Sequence, residues 1–292
     1  MNQSLLLSIY FKMMKRTVII LVILTAYFIF GQCCMRFRWS DNKANKVFSA
    51  RQVPLQISDT VVQGQNIHYV ISGADTLPTM VFIHGSPGSW SHYMKFMWDD
   101  ELRKKFRFIS IDRPGFGYSE FGSPMHLKEQ SEIILKIVLA KQNGKPIYLA
   151  GHSIGGPVVA QMAAMSPGSF EKIIIISGSI SPYLEKKENW RHLMNNSLMV
   201  KFLPGAFAPS NTEILWFKKD LYQLEKELPN INTHVIFIHG DKDSWVPIEN
   251  IAFGKKSIIN AKSIMADTIF GADHQVPWKN MKEVKNILLN VY

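Results

Sequence analysis

Short apolar runs recur along the chain and alternate with amphipathic stretches. The most apolar of them cover residues 79–83, 147–150, 173–176 and 235–238. Runs of this length are typical of strands buried on both faces, as in a parallel sheet that helices cover on both sides. The alternation therefore predicts an α/β fold: a mostly parallel eight-stranded sheet with helices on both faces and right-handed crossovers.

The predicted strands and helices follow each other regularly except in one interval. The strands are 53–58, 66–72, 79–85, 106–112, 146–151, 172–178, 233–240 and 261–270. The helices are roughly 91–104, 126–142, 157–165, 247–256 and 277–290. Residues 182–231 have a helical pattern that Pro204 and Pro209 interrupt, so we predict a helical cap inserted after the sixth strand.

The N-terminal region has the composition of a membrane-associated segment. Residues 17–35 carry no charge, lie between Arg16 and Arg36, and as a helix just span a hydrocarbon core of about 30 Å. The formal net charge is +10, and residues 1–46 contribute +6 of it, from seven basic residues against Asp41. Charge concentrated beside an apolar segment indicates the flank of a membrane anchor and argues against a nucleic-acid-binding face.

We predict a membrane anchor or signal segment over residues 1–35, a linker over 36–52 and an α/β domain over 53–292. We favour an uncleaved anchor, and a cleaved signal peptide with its basic start at Lys12–Arg16 is the first alternative. Five basic residues follow the apolar segment and three precede it, which would leave the domain on the cytoplasmic side. A signal-like start would instead export the domain, and we favour export.

Cys33 and Cys34 are the two cysteines of the chain. They offer a second alternative, a lipoprotein signal, although Gln32 or Cys33 would then occupy the position that normally holds a small residue. The domain that follows contains no cysteine, which excludes a disulfide, a thiolate nucleophile and a cysteine metal site there.

The stretch Gly151-His152-Ser153-Ile154-Gly155 lies between a predicted strand and a predicted helix. Glycines two residues to each side of a serine allow a sharp turn in which larger side chains would collide. Such a turn holds the serine strained, with its hydroxyl exposed. The amides of the following helix would face an anion formed there. Ser153 is therefore the candidate nucleophile, and a glycine-rich turn with a helix-capping serine is the alternative.

A serine hydroxyl needs a histidine base, and the histidine needs a carboxylate; in this architecture they follow in the order Ser, Asp or Glu, His. His274 is the only histidine beyond the last predicted strand. Asp243 and Asp241 both follow the strand 233–240, and we prefer Asp243 because Asp241 directly adjoins the strand end. Each could be an ordinary loop residue, but together they predict a triad of Ser153, Asp243 and His274.

Acyl chemistry also requires two amides that stabilise an oxyanion. One candidate is the amide of Ile154, directly after the proposed nucleophile. The other is the amide of Ser86 in the loop HGSPGSW, because the next residue, Pro87, has no amide hydrogen.

Five motifs, in this order, resemble the α/β-hydrolase fold superfamily: HGSPG, DRPGFGYS, GHSIGG, GDKDSWVP and GADHQVPW. The resemblance runs from about residue 53 to the C-terminus and implies the same nucleophile, acid and base. The epoxide-hydrolase and haloalkane-dehalogenase branches use a carboxylate nucleophile, so a serine argues against both. The HGSPG loop is similar to the HGGPG of proline iminopeptidases but departs from it at Ser86.

The resemblance implies a carboxylesterase-like serine hydrolase that cleaves an ester-like or amide bond of a small or apolar substrate through an acyl-enzyme. An acyltransferase, an aminopeptidase-like peptidase and a non-catalytic ligand receptor are the alternatives. No metal or organic cofactor is implied, and the expected partners are a small-molecule substrate and a membrane. Apolar cap residues either dock the cap on the sheet or line an acyl pocket; they are Trp190, Leu193, Met194, Met199, Phe202, Phe207, Leu215, Trp216 and Phe217.

Overall fold

A computed structural model describes residues 3–186, 188–196 and 198–291. Within these residues one eight-stranded sheet forms the centre of the molecule. The strands are β1 (Gln56–Val62), β2 (Gln65–Ser72), β3 (Thr79–Ile83), β4 (Arg107–Ile111), β5 (Ile147–His152), β6 (Lys172–Ile176), β7 (His234–Gly240) and β8 (Ser263–Ile269). Their spatial order is β1-β2-β4-β3-β5-β6-β7-β8, with β2 antiparallel to both neighbours and all other pairs parallel. The predicted mostly parallel sheet is confirmed.

The described part of the chain contains ten α-helices. They are α1 (Gln3–Cys34), α2 (Asp41–Ala50), α3 (Met94–Met97), α4 (Leu127–Ala140), α5 (Gly155–Met165), α6 (Trp190–Met194), α7 (Phe207–Glu227), α8 (Asn250–Ser257), α9 (Val276–Lys279) and α10 (Met281–Leu289). Short 3-10 helices cover Trp90–Tyr93, Leu102–Lys104, Met199–Phe202 and Leu228–Asn230.

Side chains pack on both faces of the sheet because successive strand residues point to opposite sides. In β3, Val81 packs in the layer that contains Val158 of α5. The next residue, Phe82, packs in the opposite layer with Trp90 and Phe96. The sheet is therefore covered on both faces, which is why its central strands are apolar without interruption.

The helix predicted over residues 91–104 is broken into two 3-10 helices and the four-residue α3. The carboxylate of Asp99 accepts hydrogen bonds from the amides of Glu101 (3.0 Å) and Leu102 (3.1 Å). A side chain that takes over backbone amides in this way competes with the helix, which explains why the predicted helix does not continue.

The cap lies between β6 and β7, as predicted, and contains α6 and α7. Pro204 precedes α7. The prediction that Pro209 interrupts a helix is wrong. It lies in the first turn of α7, where the missing amide hydrogen leaves no helical hydrogen bond unmade. Phe217 and Leu221 of α7 are buried in the main core, so this helix is an integral part of the domain.

The segment predicted as a linker, residues 36–52, contains helix α2. Ser40 caps this helix by accepting a hydrogen bond from the amide of Lys43 at 3.3 Å. Ala44 and Phe48, one helical turn apart, are fully buried against the domain. This part of the segment is packed structure rather than a free linker.

Helix α1 is long and apolar enough over residues 7–34 to cross a membrane, and 6% of its most apolar window is buried. This agrees with a membrane-associated N-terminal segment. Length and composition do not separate an anchor from a signal sequence.

Candidate functional site

Ser153 lies in the turn between β5 and α5, with φ of +55°, a left-handed conformation that non-glycine residues rarely adopt. Its amide donates to the carbonyl of Ile176 at 3.0 Å, which fixes the turn to the end of β6. A Cβ at Gly151 would lie 2.0 Å from the carbonyl oxygen of Gly155, and a Cβ at Gly155 would lie 2.2 Å from that of Ile83. Both flanking glycines are therefore required by close backbone contact.

Asp243 and His274 come together from the loops after β7 and β8. The Nδ1 of His274 lies 2.8 Å from Oδ2 of Asp243, whose side chain is fully buried. The other carboxylate oxygen of Asp243 accepts hydrogen bonds from the amides of Trp245 (3.0 Å) and Val246 (2.9 Å). The carboxylate is thus fixed in the orientation in which it contacts the imidazole.

The hydrogen bonds around Asp243 favour its charged form. Burial alone would raise the pKa of this carboxyl, but hydrogen bonds from His239 and His274 outweigh burial and hold the pKa below its usual range. The Nε2 of His239 lies 3.4 Å from Oδ2 of Asp243 and also 3.0 Å from the carbonyl oxygen of Val246. An ionised Asp243 keeps the proton of neutral His274 on Nδ1 and leaves Nε2 as an acceptor.

Asp241, the alternative acid, has a different partner. Its Oδ1 accepts a hydrogen bond from the amide of Gly271 at 2.5 Å, and so it stabilises the turn that follows β8. The structure therefore brings Asp243, and not Asp241, to the imidazole of His274.

His152, which the sequence analysis did not identify as a site residue, contacts both the backbone and the ring of His274. Its Nε2–H donates to the carbonyl oxygen of His274 at 2.9 Å, and the two ring centroids are 4.7 Å apart. Burial lowers the pKa of His152 to about 3, so this ring is neutral. His152 thus fixes the backbone of His274, the candidate base. No local sequence pattern predicts this role.

The amides of Ser86 and Ile154 are free to bind a ligand. In the part of the chain that the structure describes, neither amide donates a hydrogen bond. The loop that carries Ser86 runs directly beside the serine, because a Cβ at Gly85 would lie 2.9 Å from the Cβ of Ser153. Ser86, Ser153 and Ile154 border one cavity, which is the arrangement expected of two oxyanion donors beside a nucleophile.

The loop that carries Ser86 is held by a buried guanidinium. Arg113, which follows β4, donates to the carbonyl oxygens of His84 (2.9 Å) and Gly85 (3.1 Å), the two residues before Ser86. The same guanidinium forms an ion pair with Glu213 of the cap helix α7. Neither partner was predicted, because their chain separation leaves no local signal.

Two cavities meet at Ser153. The first, about 490 Å³, is bordered by the N-terminal region through Phe37 and by Met94 and Trp278. The second, about 630 Å³, lies under the cap. Both cavities share Ser86, Pro87, Ser153, Phe207, Trp245 and His274.

The cavity under the cap is lined by both apolar and charged residues. Its apolar residues include Ile214, Phe217 and Val246, and its charged residues are Glu185, Lys186, Glu188 and Arg191. Some of the apolar cap residues therefore line a cavity, while others, such as Leu193 and Phe202, are exposed. Over the residues that are described, no group of three or more His, Cys, Asp or Glu side chains is arranged to hold a metal ion.

Comparison with known proteins finds that the chain is similar to hydrolases. A family model described as the alpha/beta hydrolase fold matches residues 78–202. Epoxide hydrolase 1 of Caenorhabditis elegans is 32% identical over 235 residues, which cover 73% of this chain and 55% of that protein. An uncharacterized hydrolase of Bacillus subtilis, YugF, is 26% identical over 251 residues, covering 74% of this chain and 90% of that protein.

One solved structure matches nearly the whole chain, including the N-terminal region. It is a membrane phospholipase A, described as a bacterial virulence factor, with a TM-score of 0.63 and 17% identity. The match covers 99% of this chain and 98% of that chain. At this level of identity the likeness establishes the fold.

Proposed function

We propose that this chain, a hydrolase that belongs to the α/β-hydrolase fold superfamily, is a serine hydrolase that cleaves an ester-like bond through an acyl-enzyme. The observation that carries the proposal is the convergence of three residues. Ser153 in its strained turn and His274, held by Asp243 at 2.8 Å, border the same cavity. A nucleophile, a base and a carboxylate that orients the base are the groups this reaction needs.

In the first half of the reaction, Ser153 Oγ attacks the carbonyl carbon of the substrate while Nε2 of His274 takes the hydroxyl proton. The π electrons of the carbonyl move to its oxygen, and the amides of Ser86 and Ile154 donate to the resulting oxyanion. When the carbon–oxygen bond to the alcohol breaks, His274 returns the proton to the departing alkoxide. The product of this half is an ester between the acyl group and Ser153.

In the second half, water replaces the alcohol. His274 takes a proton from the water, the hydroxide attacks the acyl carbon, and the Ser153 oxygen leaves with the proton that His274 carried. Asp243 remains ionised throughout and stabilises the imidazolium that forms twice in the cycle. The free acid is released and the serine is regenerated.

Epoxide opening is the less favoured reaction, despite the epoxide hydrolase among the relatives. That branch of the superfamily attacks with a carboxylate, whereas position 153 of this chain is a serine. A serine ether formed by epoxide opening would have no carbonyl for water to attack.

The lining of the cavity under the cap supports an apolar acyl group as its occupant. Ile214, Phe217 and Val246 offer apolar contact beside the serine, and the shared Phe207 extends it toward the first cavity. We propose that α1 anchors the protein in a membrane and, from its signal-like start, that the domain lies on the exported side. An anchored hydrolase has ready access to apolar esters.

A fluorophosphonate probe tests the proposal on the full chain in detergent. We expect covalent labelling of the peptide that contains Ser153 and no labelling of the Ser153→Ala variant. Ser166→Ala, at the other end of α5, is the matched control and should be labelled at the wild-type rate. A folded wild-type protein that neither reacts with the probe nor hydrolyses p-nitrophenyl esters would contradict the proposal.

A further inference from the structure

The last turn of α1 and the residues that follow it contact the cap. We call residues 31–38 the juxtamembrane segment. The side-chain amide of Gln32 donates to the carbonyl oxygens of Leu203 (3.0 Å) and Lys201 (3.3 Å). The amide of Ala206 donates to the carbonyl oxygen of Met35 at 2.8 Å. These contacts hold the end of α1 against the part of the cap that leads into α7.

The same segment is fastened to the sheet domain. The guanidinium of Arg38 lies 3.7 Å from the ring centroid of Tyr118, and it donates to the carbonyl oxygen of Gly117. The hydroxyl of Ser89, in the loop after β3, donates to the carbonyl oxygen of Phe37 at 2.8 Å. The juxtamembrane segment is therefore packed between the cap and the sheet domain.

Phe37 lies where these contacts meet, and it borders the cavity that contains Ser153 and His274. Its backbone has φ of +52°, a conformation unfavourable for phenylalanine, which the contacts on either side impose. Its ring meets the ring of Phe207 edge to face, with centroids 5.4 Å apart. Phe207 borders both cavities, so the two rings together form one wall beside the serine.

We infer that the juxtamembrane segment is part of the active site and that Phe37 is a specificity-determining residue: a long acyl chain extends from the cavity under the cap past the shared Phe207 and contacts the Phe37 ring in the first cavity. The inference rests on the proposed serine hydrolase function. A chain cut anywhere after Phe37 would lack this wall, so only the form that retains the segment has the complete cavity. This favours an uncleaved anchor over a signal peptide removed beyond that point.

The test compares esters of different acyl length on the full chain in detergent. For wild type and Phe37→Ala, kcat/KM is measured with p-nitrophenyl butyrate and p-nitrophenyl dodecanoate. We expect the dodecanoate-to-butyrate ratio to fall about tenfold or more in Phe37→Ala, because apolar pocket contacts of this size discriminate by about that factor. Phe202→Ala, an exposed cap aromatic outside both cavities, is the control and should keep the wild-type ratio.

A second variant keeps the test informative if Phe37→Ala folds poorly. Ser89→Ala removes the hydrogen bond to the Phe37 carbonyl without changing the ring, and we expect its ratio to move in the same direction by a smaller factor. Wild-type ratios in both variants would overturn the inference. Failure of the proposed function is a separate result, since wild-type protein would then react with neither ester nor fluorophosphonate.

Discussion

Arg113, after strand β4, and Glu213, on cap helix α7, form a bidentate ion pair inside the protein. Nη1 of Arg113 lies 2.5 Å from Oε1 of Glu213, and Nη2 lies 3.1 Å from Oε2. Both side chains are excluded from solvent. Because the same guanidinium also binds the carbonyls of His84 and Gly85, the cap is connected to the loop that carries the Ser86 amide.

Glu213→Gln should strongly destabilise the protein, because it leaves the Arg113 charge buried without its partner. Loss of one member of a buried pair typically lowers the free energy of unfolding by about 3–5 kcal/mol. Arg103→Gln removes the exposed ion pair with Asp100. Loss of such a pair should lower the free energy of unfolding by only about 0–1 kcal/mol. Urea unfolding of both variants in detergent measures the difference, and equal effects would contradict the buried pair's role.

Asp243→Asn should lower kcat by about 10⁴, because an amide no longer holds the tautomer of His274 that can accept the serine proton. Asp241→Asn is the matched control, since its carboxylate binds the Gly271 amide rather than the imidazole. We expect the kcat of Asp241→Asn to stay within about twofold of the wild-type value, because a substitution outside the triad in a surface loop has a small effect. Steady-state hydrolysis of p-nitrophenyl butyrate checks both, and a comparable loss in the two variants would contradict the assignment.

Asp112 should make the protein's stability depend on pH between about 4 and 6. Burial raises the pKa of this carboxyl to about 6, above the value of about 3.9 for an exposed aspartate. In that window the folded state holds a proton that the unfolded chain lacks, so this group's contribution to stability increases as the pH falls from 7 to 4. The change is on the order of 3 kcal/mol.

The measurement that isolates Asp112 is the difference in unfolding free energy between wild type and Asp112→Asn at several pH values. The unfolding free energy of wild type should increase relative to that of the variant as the pH falls. A difference that stays flat from pH 7 to 4 would show that the buried carboxyl remains charged throughout, and it would contradict the raised pKa.

Gly151→Ala should abolish fluorophosphonate labelling at Ser153, because the added Cβ would lie 2.0 Å from a backbone oxygen and must displace the turn. Gly144→Ala separates this clash from the cost of a left-handed conformation. Gly144 has φ of +73° and open space around it, so alanine there should cost about 1 kcal/mol and leave labelling intact. Labelling rate and melting temperature are measured for both, and normal labelling of Gly151→Ala would refute the close contact.

The central strands of the sheet could be predicted because β3, β5, β6 and β7 each contain an apolar run of the right length. The spacing of glycines around Ser153 could be understood in the same way, since a sharp turn has strict local requirements. The choice between Asp241 and Asp243 could not be made firmly from position alone. It depends on which carboxylate reaches an imidazole from another loop, and here that is Asp243.

Residues that act through distant partners left no such signal. Arg113 and Glu213 meet only because the cap folds back over the loop after β3, and the pairing is invisible in either local stretch. Phe37 lies in a segment whose polar composition favoured a linker, and only the contacts of its neighbours with cap and sheet place its ring beside the cavity. Packing across long chain separations, rather than local pattern, completes the site.

Because residues 31–38 are bound to both the cap and the sheet domain, no flexible linker separates α1 from the domain. If α1 anchors the protein in a bilayer, as we propose, the cleft that contains Ser153 would be held at one height and one tilt relative to the lipid surface, and the proposed hydrolase would meet its substrate in two dimensions. Encounter would then depend on how densely esters populate that surface, not on their concentration in the surrounding water.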